Sequence, residues 1–186
     1  MSESAKVPEQ RSDEPPAEAL TVRASSLLPA GDRDLDRERA RLLASVLAPG
    51  TTDFLAMCFD GDPASKARPR FGNGRAYKTD EDTEAERRTG WNLRRHFRQP
   101  WTGNLALGCV FFRPDRRQID DDNMIKHLCD AGNGIAWFDD AQITAKYGVV
   151  ELDREHPRTL VVVARHVSSM DRSDVAKPRP TKRRRL

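Results

Sequence analysis

Residues 118–142, QIDDDNMIKHLCDAGNGIAWFDDAQ, decide how the rest of the chain is read. An amphipathic helix from about Asp122 to Gly132 is written into the centre of this stretch. At 100° per residue, Asp122, Asn123, Lys126, His127, Cys129, Asp130 and Asn133 fall on one side, and Met124, Ile125, Leu128 and Ala131 on the other. The apolar side supplies a packing face and the polar side is left to build a site. Asp122, Lys126 and Asp130 lie one turn apart, a spacing that also suits a solvated face with ion pairs worth about 0.3–0.5 kcal/mol each. Three features argue for more. Asp120, Asp121 and Asp122 are adjacent and repel one another, although capping a helix needs only one of them. A second pair, Asp139-Asp140, follows a short link containing Gly134 and Trp137, which we expect to return the chain to the same end of the helix. Both acidic groups border apolar sequence, so they are expected to line a cleft. Oxygen donors gathered this way suit Mg²⁺ or Mn²⁺, not zinc.

Outward from this stretch, the chain reads as one α+β domain with a small mixed or antiparallel sheet. Strands are expected at 53–60, 103–113, 142–152 and 158–167, the last containing the strongly β-prone LVVVARHV. A helix spans 80–98, acidic at its start and basic from Arg87 onward, a polarity that the helix dipole alone explains. Arg87, Arg88, Arg94 and Arg95 are therefore weak candidates for any ligand, and His127 and Trp137 are read as structural. A further helix is expected from Asp32 to Leu47, ended by Pro49-Gly50; whether it joins the core or docks elsewhere is not legible. Between 61 and 78 runs a basic loop, GDPASKARPRFGNGRAYK, punctuated by Gly and Pro.

The ends differ in composition. Residues 1–31, rich in Ser, Glu, Pro and Ala, are expected to be disordered, as is the basic tail 168–186 ending in KPRPTKRRRL. This leaves 32–50 as an accessory helix with its linker and 51–167 as the folded domain. A net charge of +3 permits nucleic-acid binding without arguing for it. The three cysteines form no CxxC pair, which argues against a disulfide framework or structural zinc and fits a reducing, cytoplasmic setting. No apolar leader or membrane-length run is present.

At this point the sequence resembles a known family. DDDNMIKHLCDAGNGIAWFDDAQI is similar to the signature of the RusA family of Holliday junction resolvases, D-x-D-N-x-x-K-x-x-x-D-A-x-N-G followed by an apolar link and D-D-x-Q-[VI]. Asp120, Asp122, Asn123, Lys126, Asp130, Ala131, Asn133, Gly134, Asp139, Asp140, Gln142 and Ile143 all fall in place. Upstream, GDPASKARPR resembles the family's G-x-P-x-x-K-x-R-P-R start, so the likeness covers roughly 53–165. Gly132 departs from the pattern, replacing a bulky residue, and is expected to loosen the helix end. Lys146 is a candidate for the basic residue that often follows the Asp pair, its register being open.

The resemblance implies an α+β nuclease that cleaves phosphodiesters at a DNA crossover with a divalent metal, Mg²⁺ or Mn²⁺ in its place, by paired nicks from a homodimer. Such chemistry must balance the charge of a pentacovalent phosphorane and a leaving oxygen, which a dication does well. Asp120, Asp122 and Asp140 are the expected ligands, with Asp139 a ligand or their support. Lys126 is expected on the scissile phosphate, and Asn123 to orient ligands or cap the helix. Branched DNA is the expected partner, held by Lys66, Arg68, Arg70 and Arg75, with Tyr77 or Lys78 as lesser candidates; backbone contacts of this kind give affinity and salt dependence. The tail KRRRL would serve as a nonspecific DNA anchor or, in a eukaryote, a nuclear signal. The motifs encode the chemistry and not the branch geometry, so a nuclease of forks or flaps fits equally. A non-catalytic junction binder fits less well, because acids beside DNA repel phosphate unless a cation intervenes.

Overall fold

The computed structural model of the chain describes residues 33–66, 70–72 and 75–171, with 70–72 and 75–77 described through their backbone. The expectations for residues 1–31 and for the tail beyond Asp171 lie outside the described residues. In chain order the elements are α1 (Arg33–Leu47), β1 (Phe54–Asp60), β2 (Arg70–Gly72), β3 (Arg75–Tyr77), α2 (Asp80–Arg94), β4 (Leu105–Arg113), α3 (Asp121–Gly132), a 3-10 turn (Asp140–Gln142), β5 (Ile143–Leu152) and β6 (Arg158–Arg165). The sheet runs β1-β6-β4-β5. Its β1–β6 and β6–β4 pairs are antiparallel, while β4 and β5 are parallel, with Leu105 opposite Ile143. The expected α+β fold with a mixed sheet is therefore found.

The parallel pair requires a crossover, and α3 is that crossover. It runs back along the sheet from the C-terminal end of β4 to the N-terminal start of β5. β4 and β6 are buried on both faces, which is why they read as continuous apolar runs without alternation. Leu105, Leu107, Cys109 and Phe111 of β4 point toward α2 and α3, packing with Leu93, Met124, Ile125 and Leu128. Ala106, Val110 and Phe112 point the other way, toward Ala40 and Ala44 of α1 and Ala48 just after it. Glycine permits the close approach on each face. A Cβ on Gly108 would lie 2.9 Å from Leu47 of α1, and one on Gly148 would lie 2.7 Å from Ile125 of α3.

α1 belongs to this body. Its alanines recur every four residues on one stripe, and its Asp36, 4% exposed, receives two hydrogen bonds from the Arg158 guanidinium at 2.9 and 3.1 Å. Arg158 also lies over the Phe112 ring, 3.7 Å from its centroid. Burial works against the Arg158 charge, but the hydrogen bonds to Asp36 and Asp153 win and hold its pKa above the ordinary value. The segment expected as a plain basic loop carries two short strands, β2 and β3, paired antiparallel with Phe71 opposite Ala76. The Asn73-Gly74 dipeptide between them is a hairpin signal in the sequence. α2 starts at a capping box, the Thr79 hydroxyl accepting from the Asp82 N–H at 3.2 Å and the Asp82 carboxylate from the Thr79 N–H at 3.2 Å. It stops at Arg94, four residues earlier than expected, where Arg95, His96 and Phe97 donate back to Asn92 and Leu93 carbonyls.

Candidate active site

The N-terminus of α3 is built by Asp120. Its backbone is extended and its carboxylate accepts from the Asp122 N–H at 3.1 Å, satisfying a donor that the helix leaves free. Asn123, expected to orient a ligand or cap the helix, donates its amide to the same carboxylate at 3.3 Å. Lys126, one turn on, is hydrogen-bonded to the Asp122 carboxylate. That bond raises the Lys126 pKa, so its ammonium is charged at neutral pH. Asp120, Asp122 and Lys126 are all exposed to solvent.

The second acidic group is organised by Gln142. This side chain is 0% exposed and uses its whole hydrogen-bonding capacity. Its carbonyl accepts from the N–H groups of Phe138 and Asp139 at 2.8 and 3.2 Å. Its amide donates to the carbonyls of Trp101 and Gly103, both at 2.9 Å. Asp139 caps the 3-10 turn, accepting from the Ala141 N–H at 3.0 Å. The turn that presents Asp139 and Asp140 is thus bolted to the segment entering β4. Nothing in the sequence beyond the resemblance marks Gln142, because a polar residue beside a strand reads as surface.

The two acidic groups do not meet in one chain. The link through Gly134 and Trp137 was expected to return the chain to the start of the helix; instead it leaves Asp139 and Asp140 at the other end. The reason is the parallel pairing of β4 with β5, which makes α3 a crossover with one acidic group at each terminus. From Asp122 to Gly132 the helix advances about 15 Å. Accordingly, among the described residues no three carboxylates, imidazoles or thiols are grouped to hold a metal ion. The donor chemistry nonetheless suits a hard dication, since both groups offer only carboxylate oxygens.

Between the groups lies Cys129. Its thiol is pushed up to about 11, by burial first, with Lys146 pulling down and Asp140, Asp130 and Asp122 pushing up. Lys146 therefore faces the same strip as the acids, from its position on β5 opposite Leu107. Trp137 closes the strip from below, 0% exposed, its indole N–H on the Cys129 carbonyl at 3.1 Å. Gly132 is what admits it: a Cβ there would lie 2.1 Å from the indole. α3 ends at Gly132, where a loosened helix end was expected, and the ring fills the space beside it.

Of the residues expected on DNA, Lys66 is ion-paired with Asp130 of α3. Arg68 and the side chains of Arg70, Arg75 and Tyr77 lie outside the described residues, and Lys78 is hydrogen-bonded to Glu86 at 2.6 Å. His127 is buried against Thr89, 2.9 Å from its hydroxyl, and burial lowers its pKa. No helix among the described residues is long and apolar enough to cross a membrane.

No curated protein matches the chain significantly. The family model described as endodeoxyribonuclease RusA matches residues 60–164, more than half of the 186-residue chain, and spans both acidic groups, Lys126 and Gln142. With α3, the acidic turn and the mixed sheet in place, this match shows that the chain belongs to the RusA family, endodeoxyribonucleases acting on branched DNA.

Proposed function

We propose that this chain is a metal-dependent, structure-specific endonuclease that resolves Holliday junctions by paired nicks in DNA recombination and repair. The observation that supports it most is the family match across a segment whose fold presents carboxylate pairs at both ends of α3, with Lys126 on the turn next to Asp122. Asp120, Asp122, Asp139 and Asp140 would hold Mg²⁺, or Mn²⁺ in its place. Such an ion polarises a phosphate, activates water and balances the charge of a phosphorane. Lys126 brings a cation to the same phosphate, Asn123 holds the Asp120 carboxylate in place, and Gln142 fixes the backbone from which Asp140 projects. The arginines of the basic segment, Arg68, Arg70 and Arg75, supply phosphate contacts along the DNA arms.

A homodimer is part of the proposal. A two-fold junction cut symmetrically calls for two equivalent sites. Because one chain separates its acidic groups along α3, two copies with these helices antiparallel would set Asp120 and Asp122 of each beside Asp139 and Asp140 of the other. The test is a labelled synthetic four-way junction beside a fork and a linear duplex, with Mg²⁺, Mn²⁺ or EDTA. Symmetric nicks in the junction, lost with EDTA and with Asp122→Asn, are the expected result. Tight binding without cleavage under any metal would overturn the catalytic reading, and faster cutting of forks would replace the junction as the substrate.

A further inference from the structure

A groove of about 410 Å³ opens at the end of the sheet that carries the Asp139–Asp140 turn. Its walls are the start of β1, the stretch 96–102 that follows α2, and Arg165 at the close of β6. Strand register sets it beside the acids. Leu105 of β4 faces Arg165 on one side and Ile143, the residue after the 3-10 turn, on the other. With neighbouring strands about 4.8 Å apart, Arg165 and Ile143 are separated by about 10 Å. Trp101 joins the groove to the acid-bearing link at two points. Its N–H donates to the Ala136 carbonyl at 2.8 Å, and its carbonyl accepts from the Gln142 amide at 2.9 Å.

The groove carries an excess of positive charge. Among its lining residues Arg98 and Arg165 face one carboxylate, Asp53. Arg94 and Arg95 lie just before it in the chain; they and Arg98 are exposed, and none of the three has a carboxylate partner among the described residues. The α2 dipole explains Arg94 and Arg95, at the last residue and the cap, but its influence fades within one turn. It explains neither Arg98 nor Arg165, which another element brings in. The Arg165 guanidinium is preset: its Nε donates to Asp53 at 3.2 Å, its Nη1 to the Thr102 carbonyl, and it lies 4.5 Å from the centroid of the Trp101 ring. Its Nη2 is left without a partner among the described residues. Phe54 and Phe97 are buried and offer an apolar partner little area. Guanidinium groups with donors to spare match phosphate oxygens.

We propose that this groove is a phosphate-binding surface: Arg95, Arg98 and Arg165 hold the backbone of a DNA strand where it runs past the Asp139–Asp140 turn. At 3.4 Å of rise per nucleotide, a strand lying on Arg165 reaches that turn within about three nucleotides. The proposal rests on the nuclease reading and adds to it where one arm of the substrate lies.

The experiment measures binding of the full chain to a synthetic four-way junction in EDTA, across a range of salt concentrations. The groove is tested by Arg95→Gln with Arg98→Gln, exposed positions whose change leaves the core untouched, and separately by Arg165→Gln. Arg37→Gln with Arg41→Gln on α1, which covers the other face of the sheet, removes the same charge elsewhere. Each lost phosphate contact lowers the salt slope by about 0.9. We expect the slope to fall by about two in the groove double variant and about one in Arg165→Gln, with weaker binding, and to stay unchanged in the α1 double variant. An unchanged slope in the groove double variant would overturn the proposal, as would an equal fall in both double variants, which marks a general charge effect. A changed oligomeric state in sedimentation with the slope intact would make the groove an interface between copies and overturn it too. Full binding and cutting by the unaltered chain, with the groove variants behaving like it, strikes the groove alone; an unaltered chain that neither binds nor cuts a junction strikes the nuclease reading and the groove with it.

Discussion

Gly132 and Trp137 share one volume: a Cβ on the glycine would lie 2.1 Å from Cζ2 of the indole. Five residues apart, they close the end of α3 over the strip that holds Cys129. Gly132→Ala therefore forces a fully buried ring to move, and overpacking of this sort costs about 1–3 kcal/mol. In a chain of this size that is a fall in Tm of roughly 2–10 °C, read by thermal denaturation. The double variant Gly132→Ala with Trp137→Leu should recover part of the loss, and a Tm unchanged by Gly132→Ala would refute the packing.

Gln142→Leu keeps the size of the side chain and removes its four hydrogen bonds. Two N–H groups and two carbonyls lose their partner, each buried loss costing about 1–3 kcal/mol where water cannot replace it. The Asp139–Asp140 turn then loses its tie to Trp101 and Gly103. We expect cleavage to fall at least about tenfold with junction affinity little changed, and Gln142→Glu to fare no better, because a carboxylate cannot donate to two carbonyls. Equal loss of affinity and cleavage would assign Gln142 to DNA binding instead.

Subunit mixing tests whether the acids combine across a dimer. Asp122→Asn and Asp140→Asn are each expected to be inactive alone while still binding junctions. If a site takes one group from each copy, a mixed dimer holds one site with both substitutions and one with neither, so mixing restores single nicks. Sites contained within one chain would each keep one lesion, and the mixture would stay silent.

His127 sets a pH dependence of stability. Burial lowers its folded pKa below the unfolded value near 6.5, so the unfolded chain binds the extra proton first. Its contribution is fully present above pH 6.5 and is lost as pH falls through the lower folded value. His96, lowered by burial and by Arg95, acts in the same direction. Tm should drop between pH 7.5 and 5.5, and His127→Gln should flatten that drop without abolishing it. A drop of the same size in His127→Gln would exclude this residue as a source.

Asp36→Ala removes one partner of a buried guanidinium. Loss of one half of a buried pair costs about 3–5 kcal/mol, and the lower end is expected because Asp153 still holds Arg158 at 2.6 Å. Hydrogen exchange in α1 should rise along with the fall in Tm; protection of α1 equal to that of the unaltered chain would mean that Asp36 does not hold the helix.

The sequence made local structure legible and long-range pairing illegible. α3 was readable because its apolar residues recur at helical spacing and Asp120 caps it, and β4 and β6 because their apolar runs are too short for anything but buried strands. The direction in which β5 pairs with β4 leaves no trace in ITAKYGVVEL, and on that direction depends whether the two acidic groups meet. Gln142 went unread as a support because its partners, Trp101 and Gly103, lie some forty residues earlier. The pairing of Lys66 with Asp130 was not legible because its partner lies some sixty residues later. For Gly132 the departure from the family pattern was legible, but not the contact with Trp137, a ring beyond the helix.

The segment by which the chain is recognised, 60–164, starts after α1 and at the last residue of β1. The sheet does not respect that boundary. β1 pairs with β6 along its whole length, and α1 covers Gly108, Val110 and Val162 while neutralising Arg158. Trimming the protein to its diagnostic portion would therefore strip an edge strand and bare an oily face on the sheet. The part of the chain outside the family match thus shields the part inside it from water.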